Sequence, residues 1–407
     1  MAPYESDDMT TAREADEPRA GRRRAARYVV PVTVMGVAAA TIGLVPAIAS
    51  SGDPDLPEIT AAQLIEKIAK SDVERLSGTV KITTDLGLPD LGGLEDSLMS
   101  GAAGQGEDGG SSADPSAKLA ELASGTHTLR IAADGPDRQK VSLLENAAEY
   151  SLIHNGKDVW GYDSGSNEVY HGTVDASGEN REQQPPATPK DFAEEALKSV
   201  DDTTSVTVDG TAQVAGRDAY KLVVKPRQSG STVGAISIAV DHRTGMPLKF
   251  TLTPSSGGAA VVDVGFTQVS FGKPAASTFD FTPPKGAKVT EDGELEQGGK
   301  HSGKPENAPK SEEGLAKGLD GLKTLGEGWN SIATFDTGGE GGLPTGEEAG
   351  GDLGGFLGSL GDQVKGDFGT GTVFSTRLVN ALITEDGKVY VGTVTKDALV
   401  KAADAGK

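Results

Sequence analysis

Between residues 219 and 284, apolar and polar side chains alternate with a period of two through four successive segments. Their apolar members are Tyr220, Leu222 and Val224; Ile236, Ile238 and Val240; Leu248, Phe250 and Leu252; and Val262, Val264 and Phe266. Successive side chains of a β-strand point to opposite faces, so each segment has one apolar and one mostly polar face. The sequence therefore predicts a long antiparallel meander with one apolar face.

Turn signals separate and end these strands. The second and third strands are joined by the five residues from Asp241 to Gly245, a short turn that ends in glycine as hairpin connections require. We interpret Asp241 and Arg243 as turn residues rather than catalytic ones. The run ends at Phe279–Pro284, because proline cannot donate a hydrogen bond to a strand ladder.

More strands are predicted upstream, around residues 127–131, 141–143, 150–152, 159–162 and 169–171, with Asn155-Gly156 as a hairpin turn. Thr60 and Gln63 form a capping box that predicts an amphipathic helix ending near Leu76, followed by a strand from 77 to 86. Thr188 caps a second predicted helix, residues 189–200, which opens with proline.

Two regions interrupt this pattern. The segment 89–124 is rich in Gly, Ser, Asp and Ala, and we interpret it as a disordered insert or a mobile lid. Residues 291–328 predict a linker with a weak leucine-containing helix near its end.

The extension 329–407 holds a strand at 329–335, a Gly-rich tract and a terminal hairpin. That hairpin comprises one strand from 372 to 383, a turn at Asp386-Gly387 and a partner strand, followed by a short helix. A two-stranded hairpin is marginal alone, so docking on the edge of the main sheet is expected.

Composition excludes several functions. The formal net charge is −22, whereas nucleic-acid binding requires a basic surface. The chain has no cysteine, which removes disulfides, thiolate metal sites and a lipid-modified N-terminal Cys. The five histidines are scattered, and no nucleophile-elbow, Walker or dinucleotide motif is present. The sequence therefore predicts no enzyme activity, metal or cofactor.

The segment Tyr28–Ala49 carries no charge and is long enough to span a bilayer. Arginines concentrate in the tail 1–27, which predicts that this end stays in the cytoplasm and the rest is exported. Two interpretations stay open. The segment is a single-pass membrane anchor, or a signal that is cleaved after Ala49, where small residues precede Ser50.

The order of elements resembles the LolA-like superfamily. A helix follows the membrane segment, a meander follows, and a second helix precedes a second meander that passes through Asp241–Leu248 and closes at Phe279–Gly286. That superfamily includes the lipoprotein carriers LolA and LolB, the LppX type and the RseB/MucB sensor domain. The resemblance covers residues 55–290, and the composition favours an actinobacterial member. The insert, the extension and the anchor depart from the simple carriers.

The resemblance implies an α+β fold, in which a strongly curved antiparallel sheet forms an incomplete barrel with helices on its concave side. It also implies an apolar cavity that holds acyl chains of a lipid or an acylated lipoprotein. Candidate lining residues are Leu143, Leu152, Trp160, Tyr162, Leu222, Ile236, Ile238, Leu248, Phe250, Val264 and Phe266. From the pattern alone, these side chains equally form a filled core. The alternative function is that of an RseB-like stress regulator, which contacts a membrane anti-sigma factor.

Overall fold

The computed structural model describes residues 54–87, 113, 115, 118, 121–173, 188–291, 323–336 and 361–406. Within these residues the chain forms two sheets and three α-helices, which are α1 Ala61–Ala69, α2 Pro189–Lys198 and α3 Lys396–Ala405. The first sheet contains β1 Arg75–Thr84, β2 Gly125–Asp134, β3 Arg138–Leu144, β4 Glu149–Asn155, β5 Asp158–Asp163, β6 Glu168–Thr173, β7 Thr204–Val214, β8 Arg217–Pro226, β9 Val233–Asp241, β10 Pro247–Pro254, β11 Val262–Ser270 and β12 Lys288–Glu291. The second contains β13 Lys323–Leu325, β14 Ile332–Asp336, β15 Asp362–Gly366, β16 Gly369–Ser375, β17 Asn380–Thr384 and β18 Lys388–Gly392.

The twelve-stranded sheet consists of two meanders that meet in its middle. Its strand order is β12-β6-β5-β4-β3-β2-β1-β11-β10-β9-β8-β7, and every pair is antiparallel except β12 with β6. The strands predicted around 127–171 and 219–266 are confirmed, as is the hairpin that joins β9 to β10. The parallel strand β12 was not predicted, because it follows the prolines that end the meander.

The two meanders are joined by the pairing of β1 with β11. Val80 lies opposite Phe266 and Ile82 opposite Val264, after a register shift at residues 79 and 80. Gly78 lies at this junction, and a Cβ atom there would stand 2.4 Å from the carbonyl oxygen of Gln268. Only glycine fits this approach without movement of the backbone, so the junction requires a residue without a side chain.

The sheet is open and curved. Its edge strands, β7 and β12, do not pair with each other within the described chain. β7 nevertheless contacts β11, although three strands lie between them in the sheet. Neighbouring strands of a sheet are about 4.8 Å apart, so β7 and β11 would be too far apart for contact in a flat sheet. This half of the sheet is therefore strongly curved. The guanidinium of Arg217, at the start of β8, lies 4.4 Å from the ring centroid of Phe271, just beyond β11.

The helices begin where the sequence predicts. Thr60 and Gln63 form the expected capping box on α1, and Thr188 caps α2 together with Asp191. The predicted end of α1 was wrong. The helix ends at Ala69, and Leu76 belongs to β1, where it is buried among the sheet residues. Residues 70–74 therefore form the turn into the sheet rather than two more helical turns.

The position of α2 follows from the topology. β6 lies beside one edge strand of the sheet and β7 is the opposite edge strand, so the connection between them must cross the sheet. α2 lies within this connection and contacts β10 and β11. The helix therefore lies across the middle of one sheet face.

The C-terminal extension forms a separate sheet together with β13, which lies in the predicted linker 291–328; the strand order is β13-β14-β18-β17-β16-β15, and α3 packs against it. The single strand predicted for 372–383 was wrong, because the chain reverses between β16 and β17. The Thr376 hydroxyl makes this turn by accepting from the amide of Val379 at 2.8 Å and donating to its carbonyl oxygen. The weak helix predicted over residues 315–325 lies outside the described residues except at its end, where Lys323–Leu325 is the strand β13.

The second sheet contacts the first through turns and strand ends, and it does not extend the edge of the first sheet as was expected. Arg377 donates to Asp85 Oδ2 at 2.6 Å and to the carbonyl oxygen of Ala259. Thr232 donates its amide to the Thr393 carbonyl at 2.9 Å, and Trp329 Nε1 donates to Thr204 Oγ1 at 2.8 Å. This interface is built largely from directional hydrogen bonds.

The predicted membrane segment 28–49 and most of the insert lie outside the described residues. Within the described residues, no helix has the length and apolar character needed to span a bilayer.

Gly78→Ala should destabilise the protein by about 2 kcal/mol, because the added methyl group meets backbone and a buried ring. Chemical denaturation of the full chain measures this. Gly272→Ala is the control, since its nearest contact to a new Cβ is an ordinary 3.5 Å. Equal stability of the two variants would contradict the structural requirement at the β1–β11 junction.

Arg377→Ala should loosen the second sheet from the first without unfolding either. Hydrogen exchange is expected to become faster at the amides of Thr232 and Thr395, which bond across the interface. The amide of Leu382, in the core of the second sheet, should keep its protection. Lys401→Ala, on the exposed side of α3, should leave all three unchanged. Unaltered exchange at Thr232 in the Arg377 variant would show that this arginine does not hold the interface.

Candidate functional site

One face of the twelve-stranded sheet is a continuous apolar surface. Residues directly opposite in an antiparallel pair project to the same face. Val80 lies opposite both Phe266 and Leu129, and Leu129 lies opposite Leu143. On the other side of the junction, Phe250 lies opposite Val264 and Ile238. We call this surface the inner face, because α1 and α2 pack on it.

Nine of the eleven predicted lining residues share the inner face. They are Leu143, Leu152, Leu222, Ile236, Ile238, Leu248, Phe250, Val264 and Phe266. All except Leu152 are buried, and Leu222, Ile238, Leu248 and Val264 are fully so. The structure thus brings this part of the predicted set together on one surface.

Trp160 and Tyr162 lie on the opposite face. Leu152 is opposite Gly161, so the neighbours of Gly161 point away from the inner face. There they contact Phe281, whose ring centroid lies 5.5 Å from that of Trp160 and 5.6 Å from that of Tyr162. Sequence alternation marked these aromatics as apolar but did not show which face they share, because the covering residue lies more than 100 positions away.

The inner face is covered by separate short pieces of chain. Leu64 and Ile68 of α1 and Ala193 of α2 join an apolar cluster with β7–β10. A second cluster is centred on β1–β4 and β11. Phe192 of α2 and Val262 are half-buried and contact both clusters. The Phe192 ring lies 5.3 Å from that of Phe250. We call the line between the two clusters, beneath α2, the seam.

Two further elements reach the inner face from its ends. Trp329 and Leu378 of the second sheet's segment pack against the α1-containing cluster. On the other half, Leu122 packs against the β1–β4 cluster, and the buried Ala113 accepts a hydrogen bond from Tyr150 at 3.1 Å through its carbonyl oxygen. These described residues of the insert therefore contact the sheet.

Lys118, also in the insert, is held by carboxylates. It lies 2.9 Å from Glu145, 3.2 Å from Glu121 and 3.6 Å from Asp163. Burial lowers the pKa of Lys118, but Glu145 and Glu121 outweigh burial and the net pKa is raised. The ammonium is therefore charged at neutral pH and fixes this end of the insert to the β3–β6 half of the sheet.

Two cavities of about 670 Å³ each, found among the described residues, lie away from the positions that were predicted to line a cavity. One lies on the opposite face of β1–β4, and the other lies between α1 and the β9–β10 turn. Neither of these two is lined by any of the eleven predicted residues.

Asp241 is fully buried and organises the β9–β10 turn. Its Oδ1 accepts from the amide and hydroxyl of Thr244, both at 2.8 Å, and its Oδ2 lies 2.6 Å from Arg217 Nε. Burial raises the pKa of Asp241, but Arg217 and Thr244 outweigh this effect and lower it overall. The interpretation of Asp241 as a turn residue agrees with this geometry.

No group of three or more His, Asp or Glu side chains in the described part of the chain is arranged to hold a metal ion.

No model of a known protein family matches the chain, and no curated protein sequence matches it. Several solved structures are similar. The MucA/MucB complex of Pseudomonas aeruginosa is 16% identical with a TM-score of 0.38, covering 84% of this chain and 96% of that one. A LolA superfamily protein from Nitrosomonas europaea is 11% identical with a TM-score of 0.21, covering 55% and 99%. An uncharacterised conserved protein from Thermus thermophilus is 13% identical with a TM-score of 0.30, covering 57% and 98%.

Two of these three structures carry names that the sequence analysis mentioned, which are those of MucB and LolA. At this identity and these TM-scores the likeness is distant, and it does not distinguish a carrier from a regulator. The function proposed below is supported by the residues of this chain.

His171 predicts a pH dependence of stability. Its ring lies 2.8 Å from Glu291 of β12 and 3.2 Å from Asp158 of β5, and it stacks on Trp160 at 3.8 Å. Burial lowers the pKa of His171, but the two carboxylates outweigh burial and raise it overall. A raised pKa stabilises the folded protein fully below the unfolded value of about 6.5, and this contribution is lost as pH rises through the folded pKa.

The free energy of unfolding of the wild type should therefore fall, relative to that of His171→Gln, as pH rises above about 6.5. Denaturation at a series of pH values measures this difference. His154→Gln is the control, because within the described residues the His154 ring bonds only to the nearby carbonyl oxygen of Gly156, at 2.8 Å. A His171 variant whose pH profile runs parallel to the wild type would refute the assignment.

Proposed function

We propose that this protein is a non-enzymatic binding protein that takes up acyl chains between α2 and the inner face. The observation that carries the proposal is the seam, where a continuous apolar sheet surface is covered by a separate helix through the half-buried Phe192. The structure then represents the closed state, in which Phe192 occupies the place of a ligand. The ligand class is a lipid or an acylated lipoprotein.

The covering helix is suited to displacement. α2 has ten residues, of which only Pro189 and Ala193 are buried. An isolated helix of this length is marginal in water, so α2 depends on its contact with the sheet. Moving it aside costs little buried area, whereas each methylene of an incoming chain contributes about 0.8 kcal/mol. A long acyl chain therefore supplies enough free energy to open the seam.

We further propose that the protein acts outside the cytoplasm, anchored by residues 28–49. Five arginines closely precede that segment, and an exported position would give the binding domain access to the lipids of the cell envelope.

Regulation by protein contact is the second candidate. The described edges of the second sheet are β13 and β15, and β15 is exposed except at Val364. An unpaired strand edge is a template for a strand of another chain. Crosslinking in native membranes tests this candidate, and one dominant membrane-protein partner captured through β15 would favour it over lipid binding.

Two substitutions at Phe192 should change acyl-chain affinity in opposite directions. Phe192→Asp places an unpaired carboxylate at the seam and should weaken the binding of a fluorescent fatty acid by at least about tenfold. Phe192→Ala removes the side chain that the ligand displaces and should strengthen binding by about fivefold. Titration of the full chain in non-ionic detergent measures both.

The matched control is Lys190→Asp, which adds a carboxylate to the same helix at a position that pairs with Glu194 rather than with the sheet. It should bind like the wild type. A role of Phe192 in folding alone would move both Phe192 variants in the same direction. That result, or an absence of fatty-acid binding in the wild type, would contradict the proposal.

A further inference from the structure

The outer faces of β1, β2 and β3 carry an excess of positive charge in an acidic protein. Val80 and Leu129 project to the inner face, so the residues that alternate with them along these strands project to the outer face. Its charged members are five basic residues and one acidic residue, namely Arg75, Lys81, Arg130, Arg138, Lys140 and Asp134. The chain as a whole has a net charge of −22. This surface therefore has the opposite sign to the rest of the molecule and attracts anions.

A groove of about 670 Å³ lies in this surface. Its floor is the outer face of β1–β3 with the end of β11, and Thr278 of the segment after β11 forms part of its wall. Nine of its thirteen lining residues have polar side chains, among them Thr79, Arg130, Lys140, Ser142, Glu149 and Gln268. A groove of this volume with several convergent polar groups can hold and orient a small ligand.

Two cations stand together in the groove. Arg130 lies opposite Ser142 and Lys140 opposite Ala132, so the two basic residues are diagonal neighbours with Cβ atoms about 7 Å apart. The Arg130 side chain is 64% exposed, and its Nη1 lies 3.8 Å from Glu149 Oε2, beyond hydrogen-bond distance. Arg130 forms this long ion pair without a hydrogen bond, and Lys140 lies half-buried in the same groove. Both side chains can therefore donate to one phosphate group, which Arg and Lys recognise through charged hydrogen bonds.

The hydroxyl network beside these cations offers acceptors. Ser151 Oγ donates to Glu149 Oε1 at 3.0 Å, which uses its only proton. Ser142 must then donate to Ser151 across their 2.8 Å contact. The Ser142 hydroxyl oxygen is then left as an acceptor in a buried residue of the groove lining, and Glu149 Oε2 is a second acceptor. A ligand that satisfies the groove therefore carries hydroxyl donors as well as an anion.

A buried carboxylate fixes the basic side chains at the end of the surface. The Asp134 side chain is 3% exposed and lies 2.6 Å from Arg138, 3.2 Å from Arg75 and 3.6 Å from Lys273. One carboxylate cannot neutralise three cations. Its effect is to hold Arg75 and Arg138 close to the groove, which keeps the local potential positive.

We infer that this groove binds a phosphorylated polyol, with Arg130 and Lys140 on the phosphate and Ser142 and Glu149 on the hydroxyl groups. The site lies on the opposite face from the seam and is independent of the acyl-chain proposal. The same chemistry occurs in a soluble polyol phosphate and in the headgroup of a phospholipid.

The test uses the full chain in non-ionic detergent and two probes, soluble glycerol phosphate and short-chain phosphatidylglycerol in the micelles, each titrated by calorimetry. Arg130→Gln and Lys140→Gln should each weaken binding roughly tenfold. Lys225→Gln and Lys365→Gln remove exposed charges elsewhere and should bind like the wild type. Glu149→Gln should weaken glycerol phosphate relative to inorganic phosphate, because only the former presents hydroxyl donors.

Binding of soluble glycerol phosphate alone supports the inference with a soluble ligand, and binding of both probes supports it with a headgroup ligand as well. Binding of neither probe, or equal losses in the groove and control variants, overturns it. Unchanged fatty-acid binding by Arg130→Gln would show that the groove and the seam are separate sites, so a failure of one leaves the other standing.

Discussion

The pairing of β1 with β11 is the interaction on which the rest of the structure depends. It joins two meanders that are separate in sequence into one sheet, with partners such as Ile82 and Val264 almost two hundred positions apart. Gly78 permits the close approach of the β11 backbone at this junction. Because the two apolar faces become continuous only through this pair, the inner face exists as a single surface only when the junction is formed.

The same topology places the candidate site. Since β6 and β7 lie near opposite edges of the sheet, their connection has to cross a face, and the apolar face is the one that needs cover. α2 supplies that cover with small buried side chains and one aromatic, Phe192, at the boundary of two clusters. A helix held by so few buried residues is the part of the core most readily exchanged for another apolar occupant.

Much of the fold was predictable because its signals are local. Alternation predicted the strands β8–β11, and the glycine-terminated turn after Asp241 predicted the hairpin that joins β9 to β10. The capping residues Thr60 and Thr188 predicted the starts of α1 and α2. The failures were non-local or used unusual turn residues. The β16–β17 turn depends on the Thr376 hydroxyl rather than on glycine or proline. The face that Trp160 and Tyr162 occupy follows from the pairing of β5 with β4, and Phe281 covers both rings there from more than 100 positions away.

Native mass spectrometry of the purified full chain, followed by extraction of any bound lipid, tests the central claim most directly. Acyl-chain binding at the seam predicts a co-purifying lipid at close to one molecule per chain. It also predicts that hydrogen exchange in α2 becomes slower once the lipid has been extracted, because the helix then closes on the inner face. A chain that purifies empty and takes up no added fatty acid would contradict the claim. The inner face would then be a permanent core, and contact with a protein partner would become the leading function.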